Sequence, residues 1–177
     1  RTQFPQGEAR FEVLMAQGAL LYNRRMYANA AEVYAQIVAA GEDTEEYFDA
    51  LFNLGQCRFQ GEHYDSAASA FAVVWAEASE SELREKAGSF LIQAKYLKAR
   101  LLFDSEMYEQ AAQAMADIEK EHPGSEYGDV VLFSAAEAYE HIDESGKSGA
   151  MYVMMAERYP QSEYAPGALF NAASAHE

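Results

Sequence analysis

The sequence predicts an all-α fold of about nine helices, arranged as antiparallel hairpins that stack into an α-solenoid. The composition favours helices, because Ala is frequent and only 4 of the 177 residues are Pro. Apolar residues recur at spacings of three and four, which places them on one face of a helix. The same helical pattern returns several times along the chain at a nearly constant interval, which is typical of a repeat architecture.

The second helix of each predicted hairpin has a recurring pattern. Tyr is followed three residues later by Ala, then by a large residue four positions on and an aliphatic residue three further on. The Ala is small because another helix must approach closely there. The pattern occurs in the stretches 26–38, 63–75 and 107–119, and in a weaker form in 145–160. Ser145 replaces Tyr in the weaker copy, so we expect a looser hairpin at that point.

The first helix of each hairpin carries a small residue at a fixed position. The intervals between these residues are 37, 44, 37 and 37. The longer interval indicates about seven extra residues, so a helix capped by Ser79 or Ser81 is expected to run to about Phe103. The small residues are Gly18, Gly55, Ala99, Ala136 and Ala173.

These patterns divide the chain into four hairpin units and the start of a fifth. One hairpin cannot cover its own apolar face, whereas stacked hairpins bury one continuous core, so we expect a single array over residues 1–177. Pro5 lies where a preceding unit would end, and the fifth unit stops after one helix. We therefore expect a segment of a longer repeat protein. The units span 11–44, 45–80, 81–124, 125–161 and 162–177.

The chain is strongly acidic. Its 29 Asp and Glu residues oppose 13 Lys and Arg residues, which gives a net charge of −16. Nucleic-acid binding is disfavoured, because the basic residues do not cluster and phosphates would be repelled. The charge could attract a basic partner or simply keep the chain soluble. No apolar run reaches the roughly 20 residues that a membrane span needs.

The sequence offers no arrangement typical of catalysis or metal binding. No Gly-rich phosphate loop, CxxC pair or nucleophile motif occurs. Carboxylates cluster at predicted helix ends, as in 41–46 and 118–122, where capping and solvation account for them. Cys57 is expected to be a small buried packing residue. We therefore expect no catalytic residue, metal or cofactor. The histidines lie far apart, at His63, His122, His141 and His176.

The repeated pattern resembles the tetratricopeptide repeat. This resemblance implies a right-handed superhelix whose first helices line a concave face that binds extended or helical peptides. The residues that carry the resemblance are Leu54, Gly55, Tyr64, Ala67 and Phe71 in one unit and Ala99, Tyr108, Ala111 and Pro123 in another.

The stretch "YP-x-SEYA", with which a repeat unit ends, is similar to one found in bacterial cell-envelope repeat proteins. These include the outer-membrane-assembly lipoprotein and Tol–Pal-associated periplasmic proteins. The similarity implies a periplasmic or outer-membrane-associated location, with the cytoplasm as the alternative.

If the first helices line a concave face, their large side chains are candidate partner-binding residues. Phe52 and Phe59 are seven residues apart and share one helix face, as do Tyr96 and Phe103. An exposed row of such rings would form a large apolar patch. Phe170 continues this row in the fifth unit. Alternatively, some of the rings close gaps between units. The candidates are Met15, Tyr22, Phe52, Phe59, Tyr96, Arg100, Phe103 and Phe133.

We therefore expect a non-enzymatic scaffold that binds a basic or apolar protein or peptide in a bacterial envelope assembly. Two alternatives remain open. The repeats could be an accessory or regulatory arm of a larger enzyme. They could also self-associate into a homo-oligomeric array, with the groove filled by a helix from a neighbouring copy.

Overall fold

The computed structural model describes residues 8–41 and 46–174. Within these ranges the chain forms nine α-helices and no strand, which confirms the predicted all-α fold. Pro5, the carboxylates at 42–45 and His176 lie outside the described residues. The helices are α1 (Glu8–Asn23), α2 (Tyr27–Val38), α3 (Tyr47–Gln60), α4 (Tyr64–Glu77), α5 (Ser81–Asp104), α6 (Tyr108–Glu121), α7 (Gly128–Glu140), α8 (Ser145–Arg158) and α9 (Ala165–Ser174).

The helices group into two compact units. Unit 1 is Arg1–Ala94 and unit 2 is Lys95–Glu177, so the division falls within α5. The longer helix predicted near the 44-residue interval is α5, which has 24 residues. The predicted single array over the whole chain stays a prediction. None of the described helices is both long and apolar enough to cross a bilayer.

The four hairpin turns share one backbone geometry. In each turn one residue has a left-handed backbone, with φ between 58° and 63°. Its N–H donates to the carbonyl three residues earlier, and the next N–H donates to the carbonyl five residues before it. In the first turn, Arg25 N lies 2.8 Å from Tyr22 O and Met26 N lies 3.0 Å from Leu21 O. This is the Schellman motif, which satisfies the last carbonyls of a helix.

Glycine is the usual residue at the left-handed position of this motif, but none of the four turns uses it. A side chain in this conformation costs about 1 kcal/mol, because Cβ approaches the following carbonyl oxygen. The residues are Arg25, Glu62, Glu106 and Asp143. The hairpins were predicted from the sequence, but the left-handed residues in their turns were not.

The core of unit 1 is built from rings that enter gaps beside glycine. A Cβ at Gly18 would lie 2.6 Å from the Tyr34 ring, and a Cβ at Gly55 would lie 2.7 Å from the Phe71 ring. Tyr34 and Phe71 are both buried. In these two hairpins, the small residue of the first helix therefore leaves the space that the large residue of the second helix fills.

The core of unit 2 uses Ala where unit 1 uses Gly. Ala99 and Ala136 are fully buried. The weaker copy of the pattern, α8, still buries Tyr152 and Met155 completely. Ser148 takes the position of the pattern's Ala, and its buried hydroxyl has no hydrogen-bond partner among the described residues.

Candidate functional site

The structure places seven of the eight candidate residues half-buried on the first helices. The exception is Phe52, which is only 8% exposed and belongs to the core of unit 1. The expectation that Phe52 faces a groove therefore needs correction. Its ring packs against Phe71, with 5.5 Å between centroids, and against Phe90, with 5.7 Å.

Phe90 was missed by the sequence reasoning, although it lies at the centre of this ring cluster. It stacks on Phe71 at 5.2 Å and meets the edge of Phe59 at 5.7 Å. Phe90 falls in the part of α5 where the repeat interval lengthens to 44 residues. Phe90 lies nine residues before the small residue Ala99, as Tyr127 and Tyr164 do before Ala136 and Ala173, so comparison of the repeats could have identified it.

Three candidate rings close their own hairpins. Each packs edge-on against the Tyr that begins the second helix, with centroids 5.1–5.6 Å apart. Such aromatic pairs contribute about 0.5–1.5 kcal/mol beyond the area they bury. These rings therefore have a structural role whether or not a partner also contacts them. The pairs are Tyr22 with Tyr27, Phe59 with Tyr64, and Phe103 with Tyr108.

The hairpin of α7 and α8 replaces this aromatic pair with a polar contact. Glu140 and Ser145 occupy the positions at which the other three hairpins have the two paired rings. The Tyr152 hydroxyl donates to Oε2 of Glu140 at 3.2 Å. Burial raises the pKa of Tyr152 far above its usual value, and the Glu140 carboxylate acts in the same direction.

A guanidinium and an imidazole lie beside the Phe103 ring in unit 2. The guanidinium of Arg100 lies 4.8 Å from the ring centroid and also donates to Asp104 at 3.3 Å. The His141 ring stacks on Tyr108 at 4.2 Å and meets the edge of Phe103 at 5.3 Å. This surface therefore combines an anchored ring, a cation and an exposed imidazole.

A second set of rings in unit 2 lies along α7. Phe133 contacts Tyr152, with centroids 5.3 Å apart, and Tyr164, with centroids 5.1 Å apart. The hydroxyls of Tyr96 and Ser134 lie 3.2 Å apart.

In unit 1, the remaining candidate, Met15, packs against the core with part of its side chain exposed.

The described residues do not form a recognisable reaction centre. Among them, no group of three or more His, Cys, Asp or Glu side chains could hold a metal ion. Cys57 is buried, and burial raises the pKa of its thiol to about 11. The thiol is therefore protonated at neutral pH and is a poor nucleophile.

Comparison with known proteins identifies the repeat and the fold. Residues 49–81 match a family model described as "Tetratricopeptide repeat". No curated protein matches the chain. A solved structure described as "MamA RS-1 ArsTM double mutant" is 12% identical, with a TM-score of 0.50 over 94% of this chain and 92% of that one.

A second solved structure, from Podosopora anserina, is described as having "nearly identical TPR-like repeats". It is 10% identical, with a TM-score of 0.47 over 98% of this chain and 88% of that one. The likeness to the envelope proteins stays a prediction. Residues 49–81 thus match the tetratricopeptide repeat model, and the all-α fold of helical hairpins is similar to that of the MamA structure.

Proposed function

We propose that this chain is a non-enzymatic scaffold that binds a partner protein or peptide on the first helices of its hairpins. The observation that carries this proposal is the half-burial of seven of the eight candidate side chains. Each is held by internal contacts and still offers part of its surface. Tyr22 and Phe103 are examples, because each ring packs edge-on within its own hairpin.

Anchored rings favour binding for an entropic reason. Immobilising a mobile side chain at an interface costs about 0.5–1.5 kcal/mol. Rings already held by neighbours have lost that freedom during folding, and aromatic residues with Arg dominate many protein interfaces. The contribution of Arg100 is a fixed cation beside Phe103.

The charge of the chain favours a basic partner. A net charge of −16 would accelerate the encounter with a basic protein, and the acceleration would weaken as salt rises. The proposed setting is a bacterial envelope assembly, either periplasmic or outer-membrane-associated. It is supported by residues 159–165, "YPQSEYA", which are similar to the stretch that ends repeat units in the envelope proteins named above.

Site-specific photo-crosslinking tests the proposed surface. A photoreactive phenylalanine analogue replaces Tyr22 in unit 1 or Tyr96 in unit 2, in the cells that make the protein. Matched controls carry the same analogue at Ser69 on α4 and Gln110 on α6, which are exposed positions on second helices. We expect one mass-identified partner to crosslink from the first-helix positions only. Equal crosslinking from Ser69 and Gln110 would refute the first-helix surface.

Self-association is a second candidate function, and the exposure of α9 favours it. Leu169 is 61% exposed and Phe170 is 73% exposed. Their counterparts one interval earlier are Leu132, which is fully buried, and Phe133, which contacts Tyr152 of α8. The apolar face of α9 therefore has the character of a face that another helix covers.

Sedimentation velocity over a range of protein concentrations tests this second candidate. Self-association through α9 predicts that Phe170→Glu shifts the protein to monomer. The control Gln161→Glu adds the same charge at an exposed polar position and should leave the association unchanged. A wild-type chain that stays monomeric at every concentration would exclude this function.

A further inference from the structure

A groove in unit 2, mainly between α6 and α8, combines an apolar lining with basic side chains. Its volume is about 310 Å³, which is at the lower end of the range for ligand pockets. We call it the α6–α8 groove. The residues that define it are Ala116 and Lys120 on α6, Leu132 on α7, and Met151, Met154 and Arg158 on α8.

An ion pair between a buried carboxylate and a partly exposed guanidinium lines the α6–α8 groove. Glu119 is only 4% exposed, and its carboxylate accepts from the guanidinium of Arg158 and, at 3.4 Å, from the hydroxyl of Tyr159. Gly128 leaves the space for this arrangement, because a Cβ there would overlap the Tyr159 hydroxyl. The side chain of Arg158 is 45% exposed, so it reaches both the buried carboxylate and solvent.

The repeat architecture does not require these charges. The equivalent positions in unit 1 lie two repeat intervals, or 81 residues, earlier. They hold Val38 for Glu119, Ala39 for Lys120 and Glu77 for Arg158. Burying a carboxylate such as that of Glu119 costs hydration, and even a paired one often stabilises no more than apolar packing. The charged residues of the groove are therefore unexplained by helix packing alone.

The charged side chains that line the groove are Glu119, Lys120 and Arg158, which together carry one positive charge. Arg158 neutralises Glu119, and Lys120 is exposed beside Glu121, whose pKa it helps to lower after the larger effect of Lys95. At physiological salt, charges more than about 8 Å apart are largely screened. A ligand in the groove would therefore experience Lys120 and the Glu119–Arg158 pair more strongly than the net charge of the chain.

We propose that the α6–α8 groove binds an acidic partner segment in which Asp or Glu stands next to a bulky apolar residue. The apolar side chain enters between Leu132, Met151 and Met154, and the carboxylate lies at Lys120. This site differs from the first-helix surface proposed above, so either proposal can fail without the other.

Methyl NMR of the full chain tests this proposal with two matched probes. The chain has seven Met residues, so selective ¹³C-methyl labelling gives few signals. The probe is acetyl-Phe-Glu-amide, and the control is its neutral isostere acetyl-Phe-Gln-amide. We expect saturable shifts at Met151 and Met154 with the acidic probe, and no shifts at the exposed Met26 and Met107.

Two variants locate the site and separate charge from apolar contact. Lys120→Gln should weaken the acidic probe about two- to fivefold, as expected for an exposed ion pair, and leave the neutral probe unchanged. Ala116→Leu should fill the groove and abolish the response to both probes. Circular dichroism confirms that each variant remains folded.

Several results would overturn the proposal. They are equal affinity for the two probes, a Lys120→Gln variant that binds the acidic probe normally, and an Ala116→Leu variant that still responds. Shifts that reach Met26 and Met107 equally would indicate nonspecific contact. Shifts at Met151 and Met154 that appear on concentrating the protein without probe would identify a second copy as the occupant instead.

Discussion

Replacing Gly55 by Ala tests whether the small residue of a first helix exists to admit a ring. The new Cβ would lie 2.7 Å from the nearest atom of the Phe71 ring and 3.1 Å from its Cζ. Favourable carbon–carbon contacts begin at about 3.5 Å, so one of the two groups must move. Phe71 is fully buried and contacts both Phe52 and Phe90, so its ring cannot move without displacing these neighbours.

The magnitude follows from two opposing effects. Overpacking a filled core costs about 1–3 kcal/mol. Replacing Gly by Ala inside a helix stabilises the helix by up to about 1 kcal/mol. We therefore expect Gly55→Ala to lower the free energy of unfolding by about 1–2 kcal/mol, which corresponds to a fall of about 2–8 °C in Tm.

Urea and thermal unfolding, followed by far-ultraviolet circular dichroism, measure this change. Gly146→Ala is the matched control, because Gly146 lies in α8 and a Cβ there meets nothing within 4 Å. The control should be neutral or stabilising. The double variant Gly55→Ala with Phe71→Leu should recover part of the loss, because the two sites are in contact. If Gly55→Ala matches the control, the reasoning about ring insertion is wrong.

Three further predictions concern buried polar groups and turns. Ser148→Ala should stabilise the protein by about 1 kcal/mol in urea unfolding, because it removes a buried hydroxyl without a partner; a loss of stability would contradict this. Glu106→Gly should stabilise by about 0.5–1 kcal/mol, because φ is 63° there, whereas Glu109→Gly, within α6, should destabilise. Burial raises the pKa of the Cys57 thiol to about 11, so the folded state favours the protonated thiol. This preference contributes fully to the free energy of unfolding below about pH 9, and the contribution is lost as the pH rises toward 11. Stability measured from pH 8 to 11 should therefore fall less steeply in Cys57→Ala, and equal slopes would refute the assignment.

The helices and their pairing could be predicted from the sequence, because the signals involved are local. Spacings of three and four mark a helix face wherever they occur, and repetition shows which helices are equivalent. The small and large positions also follow from this comparison. Gly55 and Phe71, for example, are 16 residues apart, and so are Gly18 and Tyr34.

The depth of each candidate ring could not be predicted in this way. Phe52 and Phe133 occupy equivalent positions in their helices, yet Phe52 is in the core and Phe133 is half-buried. The difference depends on the neighbouring helix. Phe90 covers Phe52, whereas Phe133 contacts Tyr164, the repeat counterpart of Phe90, and stays half-buried.

The sequence alone determined that this chain folds into helical hairpins with small residues facing large ones, because helical periodicity is encoded within a few turns. Only the tertiary structure decided which groups meet over long separations. Glu119 and Arg158 are 39 residues apart, and nothing in their local sequence indicates that they form an ion pair beside an apolar groove. Burial and charge pairing depend on the packing of separate helices, which no single helix specifies.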